Sequence, residues 1–289
     1  MALKFVEKAP FVPVESGYEI EKILYRGKSR FQEIVVVESP DFGRMLLLDG
    51  VVQITEADEF FYHEMLTHPV LHAHPDPKKV IVIGGGDGGV VREVLKHKGV
   101  QKVYFIEIDK KVIEVSRKFF PTVACGIDDP RVEVRPMDGA EFVKQAPRGE
   151  IDAIIVDSTD IIGFARSLYT KDFFASVRNC LRENGFFVTH SESLIYHRDT
   201  VRKVQEILKN SFPVVDLYTA TIATYPGNWW TFAIGSVMLD PREARRKFEI
   251  ETRYYDDEIH AKSFVTPKFY RKLMEDRLDW GLRLKVENG

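Results

Sequence analysis

The chain has 289 residues, 44% of them hydrophobic, and 41 Lys plus Arg against 44 Asp plus Glu give a formal net charge of -3. That suffices for one large domain, or one large and one small, to fold without disulfide staples. The scattered basic residues give no footprint for nucleic acid or an anionic membrane, while small cationic substrates stay compatible. No apolar run approaches the ~20 residues that cross a bilayer. Cys125 and Cys180 lie far apart, form no C-x-x-C and follow no secretory leader, so both read as reduced, buried residues of a cytoplasmic protein. Five asparagines and five glutamines beside so many charges lean toward a thermophilic source.

Residues 1–54 read as a small antiparallel β domain without helical periodicity. Strands are expected at Tyr18 to Tyr25 and Phe31 to Glu38, separated by Arg26-Gly27-Lys28-Ser29, with another turn at Asp41-Phe42-Gly43. Met45 to Leu48, Asp49-Gly50 and Val51 to Ile54 form a strong two-residue hairpin signal. Residues 55–78 read as a connecting helix and linker. Thr55 and Asp58 give a T-x-x-D start signal ahead of Phe60, Phe61, Met65 and Leu66. His63-Glu64 with His68 fails the zinc pattern, because the two histidines are five apart rather than four. His72 and His74 flank a Pro-rich connection expected to be a solvated linker.

Residues 79–289 read as the large domain, in which strands and helices alternate. Strands are expected at Val80 to Ile83, Val103 to Ile108, Arg131 to Arg135 and Ile151 to Val156, with helices at Val90 to His97, Lys111 to Phe120 and Ala140 to Gln145. A helix N-capped by Thr170 runs to Leu181 with a stop at Gly185, followed by a strand at Phe186 to Thr189 and a helix at Arg198 to Lys209. Val214 to Thr219 and Trp230 to Val237 follow each other without a full helix between them, which suggests a closing antiparallel pair. The expected fold is α/β: a doubly wound, Rossmann-like sheet of methyltransferase-like form, preceded by the small antiparallel domain.

Val80 to Gly89, four apolar residues followed by five glycines and one aspartate, read as a buried parallel strand turning sharply into a helix. Gly84, Gly86 and Gly89 fit G-x-G-x-x-G, and Glu107 falls where a carboxylate could hold ribose hydroxyls. Asp87 inside this loop would repel a pyrophosphate at the helix N-terminus, so the expected ligand is an adenosine with a cationic arm, such as a sulfonium. The other role open to Asp87 is a simple helix N-cap.

Ligands of an open α/β sheet lie beyond the carboxyl ends of the strands, and here those ends are acidic. They carry Asp87, Glu107-Ile108-Asp109, Asp138-Gly139, Asp157-Ser158-Thr159-Asp160 and His190-Ser191-Glu192. With Tyr25 to Gln32, Leu48 to Gln53, Asp58 to Met65, Gly84 to Gly89 and Thr224-Tyr225-Pro226, the chain resembles the polyamine aminopropyltransferases, the spermidine synthase family, over nearly its whole length. That resemblance implies transfer of an aminopropyl group from decarboxylated S-adenosylmethionine, a co-substrate, to a diamine or polyamine, leaving methylthioadenosine. It implies no metal and no further cofactor, and a homodimer or homotetramer. An S-adenosylmethionine-dependent methyltransferase is the alternative.

By resemblance, Asp157 is the general base with Tyr62 as its hydrogen-bonding partner. Gln32, His63, Gly84, Gly86, Asp87, Glu107, Asp138 and Gly139 hold the donor, while Asp160, Tyr225, Gln53, His190 and Glu192 surround the acceptor. The charge argument adds a reason for donor choice: ordinary S-adenosylmethionine carries a carboxylate on the arm that Asp87 would repel. Three stretches depart from the family pattern, Ile161-Ile162-Gly163-Phe164, His190 to Leu194 and Tyr225-Pro226-Gly227-Asn228. All fall around the acceptor, so putrescine, agmatine, cadaverine and longer polyamines remain open.

Overall fold

The computed structural model describes residues 3–9, 12–159 and 163–275. β1 (Leu3–Lys8) and β2 (Glu15–Ile20) form an antiparallel pair, and β3 (Lys22–Lys28), β4 (Glu33–Ser39), β5 (Gly43–Leu48) and β6 (Val51–Thr55) form a four-stranded meander. The expected strand at Tyr18 to Tyr25 is therefore two strands in different sheets. The chain bends at Glu21, whose N–H donates to Glu38 O at 2.8 Å. At the β5–β6 turn Asp49 and Gly50 both take positive φ, 48° and 81°, the geometry that matches the twist of a two-residue hairpin.

α1 (Glu59–Ala73) lies in the interior of the fold. Every residue of it except Phe61 is buried, and it packs against the large sheet and α2 (Gly89–Lys96). Glu64 inside it accepts backbone N–H groups from Arg253, Tyr254 and Tyr255 at 2.8, 2.8 and 2.9 Å, which fastens the segment after the last strand onto the helix. This strap also covers His72, whose ring stacks on Phe248 with centroids 4.4 Å apart. His72 and His74 are thus buried, not parts of a solvated linker. Burial, with the neighbouring His68, pushes His72 down to about 3, so it is neutral. Cys180 is buried as expected, whereas Cys125 is exposed, as the outward-facing middle residue of a short 3₁₀ turn (Ala124–Gly126) whose other two residues are buried.

The seven-stranded sheet contains β7 (Lys79–Gly84), β8 (Lys102–Ile106), β9 (Val132–Arg135), β10 (Ile151–Asp157), β11 (Leu181–Ser193), β12 (Val214–Thr221) and β13 (Trp229–Ser236), in the order β12-β13-β11-β10-β7-β8-β9. β7 to β11 are parallel, while β13 runs antiparallel between β11 and β12, the closing pair expected from sequence. Val80 and Val82 face one core and Ile81 and Ile83 the other, so both sides of β7 are sealed. Each such side chain contributes about 1.5–3 kcal/mol.

The remaining helices are α3 (Lys110–Phe119), α4 (Gly139–Gln145), α5 (Lys171–Cys180), α6 (Arg198–Lys209), α7 (Asp257–Ser263) and α8 (Lys268–Met274). Thr170 caps α5 by accepting from Phe173 N at 3.1 Å. The stop expected at Gly185 is absent, because the chain passes from Cys180 directly into β11 and Gly185 lies within that strand. Among the described residues no helix is long and apolar enough to cross a membrane.

Candidate active site

Strand order reverses at β7, with β8 on one side and β10 on the other, and this switch point is where an open sheet leaves a crevice. Gly84 at the end of β7 pairs in register with Asp157 at the end of β10. Gly84 and Gly85 have φ of +81° and +67°, and a Cβ on either would overlap Asp157, on its backbone or its carboxylate. A cavity of about 360 Å³ opens here, walled by the β5–β6 hairpin and by the loops after β7, β8, β9, β10 and β12.

Its charged centre is Asp157, buried beside Tyr62 and Asp87. Tyr62 donates to Asp157 Oδ1 at 2.8 Å, and Asp157 Oδ2 is buried without a hydrogen-bond partner among the described residues. Burial, with the charge of Asp87, raises Asp157 to about 7, against the opposing effects of His63 and the Tyr62 bond. Asp87 Oδ1 accepts from Gly89 N at 2.7 Å and lies 3.1 Å from His63 Nε2. The N-cap of α2 is Gly88, so Asp87 holds the first amide of that helix from one position further out and is half of an ion pair at once. His63 Nδ1 is 2.5 Å from Glu59 Oε2, and Arg92 grips both Glu59 oxygens at 3.0 and 2.8 Å. Burial opposes a charge on His63, but Asp87 and Glu59 outweigh it and lift the imidazole to about 10. The same ion pair holds Asp87 low against its burial.

Glu59 and Arg92 were not among the expected site residues. The signal for Glu59 was present, since it precedes His63 by four residues on one helical face. His63, Asp87 and Asp157 each offer one ligand atom, all within 4.8 Å of one another, so the cluster has metal-ligand spacing. His63 is already engaged at both ring nitrogens, by Glu59 on Nδ1 and by Asp87 on Nε2, the arrangement of an imidazole held between two carboxylates.

The expected donor residues converge on the same cavity. Gln32, His63, Gly84, Gly86, Asp87, Glu107, Asp138 and Gly139 all line it. Glu107 Oε1 accepts from Asp109 N at 2.7 Å, yet burial and the charges of Asp109, Asp157 and Asp87 raise it to about 8. Asp138 Oδ1 caps α4 through Ala140 N at 2.7 Å. Gln32 Nε2 donates to Asp109 Oδ2 at 3.0 Å, which positions the β3–β4 turn over the loop after β8.

On the acceptor side, Tyr225, Gln53 and His190 line the cavity. Tyr225 stacks obliquely between Tyr62 and Trp230, with centroids at 5.5 and 4.8 Å, and Trp230 lies parallel to His190 at 5.9 Å. Burial lowers His190 to about 4, so this ring is neutral. Such aromatic walls suit ammonium groups. Trp230 is an addition to the expected set. Glu192 is not among the residues lining the cavity: β11 shifts register between His190 and Ser193, Glu192 takes φ of 75°, and its buried Oε2 lies 3.9 Å from Nδ1 of His197, which does line it. Asp160, and Ile161 and Ile162 after it, lie outside the described residues.

This geometry can be set against known proteins. A family described as the spermine/spermidine synthase domain matches residues 59–245, and a spermidine synthase tetramerisation domain matches residues 5–56. The chain belongs to the spermine/spermidine synthase family. A polyamine aminopropyltransferase of Hydrogenobaculum sp. (strain Y04AAS1) is 56% identical over 93% of this chain and 96% of the relative. Polyamine aminopropyltransferase 1 of Aquifex aeolicus (strain VF5) is 50% identical over the same shares. A solved spermidine synthase in complex with the transition state analogue AdoDATO superposes with a TM-score of 0.91 at 38% identity, covering 94% of this chain and 95% of that one. Spermidine synthase from Thermotoga maritima gives 0.90 at 38% identity, covering 94% of each. This synthase family member is an aminopropyltransferase, and the methyltransferase alternative is not favoured.

Proposed function

We propose that the enzyme transfers the aminopropyl group of decarboxylated S-adenosylmethionine to a diamine or polyamine, with Asp157 as general base. The observation that carries this reading is the Asp157 carboxylate, buried in the wall of an acidic cavity, with one oxygen fixed by Tyr62 and the other without a partner among the described residues. The acceptor amine, with a free pKa near ~10, must lose a proton before it attacks. Its nitrogen then bonds to the methylene carbon beside the sulfonium, the C–S bond breaks, and its electron pair neutralises the sulfur to give methylthioadenosine. The amine's proton passes to Asp157. Raised to about 7, this group is ionised enough to accept a proton and basic enough to hold it.

Glu107 would hold the ribose hydroxyls, Asp138 the adenine amino group, and Asp87 with His63 the aminopropyl ammonium, with Gln32 near the arm and Gly84, Gly86 and Gly139 giving room. Asp160, Tyr225, Gln53 and His190 would receive the acceptor. Putrescine, giving spermidine, leads the candidates, with agmatine, cadaverine and longer polyamines beside it. Residues 1–54 would form the assembly domain of a homodimer or homotetramer, 55–78 the connection and 79–289 the catalytic domain of a cytoplasmic enzyme without nucleic-acid or membrane partners.

Incubation with decarboxylated donor and a panel of amines, with a chelator present, tests this by mass spectrometry of the products. Methylthioadenosine and an aminopropylated amine are expected. Methylated products, or activity abolished by the chelator and restored by a divalent ion, would overturn it.

A further inference from the structure

Asp58 directly precedes α1 and is the residue type that caps helices, yet it makes no side-chain cap bond there. Its carboxylate is committed elsewhere. Oδ2 accepts from Thr224 N at 3.0 Å and from Thr224 Oγ1 at 2.8 Å, while Oδ1 accepts from Thr55 Oγ1 at 2.7 Å. The other side of Thr224 is held as well, because Tyr18 OH donates to its carbonyl at 3.0 Å. Tyr18 in turn belongs to β2, where buried Glu7 lies 3.3 Å from its hydroxyl and accepts from Val52 N at 2.9 Å. Asp58, Thr224, Tyr18 and Glu7 are all buried, so these bonds act in a low-dielectric setting.

Thr224 sits in the tight loop between β12 and β13, which closes on itself through Ile222 N to Asn228 O at 2.8 Å. Its neighbour Tyr225 lines the cavity and donates to Gln53 O at 2.7 Å. Without the bonds at Thr224, the loop would touch the N-terminal half chiefly through the residue that must also contact substrate.

We infer that Asp58 and Thr224 form a latch, a pair of positioning residues that fix the Tyr225 loop against the N-terminal sheets and so set affinity for the acceptor amine. The latch rests on the assignment of Tyr225 to the acceptor. The bonds at Thr224 make no contact with Glu107 or Asp138, whose carboxylates are held by Asp109 N and Ala140 N.

The test compares Thr224→Val, Thr224→Ser, Tyr18→Phe and Tyr225→Phe in the full-length enzyme by steady-state kinetics, each substrate varied at saturation of the other. Thr224→Val is expected to raise the acceptor KM about tenfold with the donor KM unchanged, the usual worth of a bond to a charged group. Thr224→Ser, which keeps the hydroxyl, restores the parent value. Tyr18→Phe, a milder change that keeps the core filled, gives the same split at about two- to threefold. If Tyr225→Phe raises the acceptor KM while neither Thr224→Val nor Tyr18→Phe does, or if both substrates' KM values rise together, the latch is wrong. If Tyr225→Phe leaves the acceptor KM unchanged, the acceptor assignment fails and the latch falls with it.

Discussion

Tyr62 and Asp157, 95 residues apart in the chain, meet through one hydrogen bond of 2.8 Å that leaves the second carboxylate oxygen of Asp157 buried and unpaired among the described residues. α1 supplies the phenol and the end of β10 the carboxylate, so a helix and a strand of the same core fix this carboxylate in place.

Asp157→Asn is expected to cut the transfer step by roughly 10²–10⁴ with donor binding nearly intact. Asp160→Asn acts mainly through acceptor binding. Because solution supplies free amine as pH approaches ~10, the Asp157→Asn deficit shrinks along that range. Single-turnover rates with saturating donor, from about pH 7 to pH 10, check this. A constant deficit, or one matched by Asp160→Asn, would mean that the roles given to the two carboxylates are wrong.

Tyr62→Phe removes a bond that lowers the Asp157 pKa, so the carboxyl rises further above about 7. A base works ionised, hence the acid limb of the rate profile moves to higher pH and the loss is greatest on the acid side. Profiles of kcat against pH for both enzymes give the answer, and superimposable profiles would remove Tyr62 from the tuning of the base.

Asp87→Asn weakens the decarboxylated donor, whose ammonium loses a counter-charge, and narrows the preference over S-adenosylmethionine. The change also strips His63 of its partner at 3.1 Å, so the His63 titration falls from about 10. Competition titrations with both donors, together with NMR of the imidazole, measure the two effects separately. An unchanged affinity ratio would refute selection by charge.

Donor binding is expected to release protons. In the empty site Asp157 and Glu107 titrate at about 7 and about 8, and His63 at about 10. Raised carboxyl values mean that the folded state binds protons the unfolded chain gives up near pH ~4, so these two groups lose their stabilising contribution as pH rises from ~4 to their folded values. A dication reverses that preference by favouring the ionised carboxylates. Donor affinity therefore increases from pH 6 toward pH 8.5, about tenfold per proton released per pH unit. Calorimetry in buffers of different ionisation enthalpy counts the protons, and a count of zero at pH 7 would contradict the charge states assigned here.

Much of this was legible in the residues. The apolar run at Val80 to Ile83, the glycines after it and the acidic strand ends pointed to the switch point and the crevice beside it, because burial on both faces and close backbone approach leave few residue choices. Residues whose roles come from distant partners were harder to see. Asp58 looked like a helix cap, and only the fold brings Thr224 to it across 166 positions. His72 looked solvated until the strap carrying Phe248 covered it. Glu192 shared a strand end with His190, and a register shift with a positive φ turned it away.

The three N–H groups on Glu64 bear on how the protein can be shortened. A version ending before Arg253 would leave that carboxylate in the interior of α1 with nothing to receive, an uncompensated buried charge of the kind that costs about 3–5 kcal/mol. Ending after Tyr255 keeps all three donors. The strap from 240 to 255 thus belongs to the catalytic core as firmly as any strand, even though residues 59–245 already span the family match.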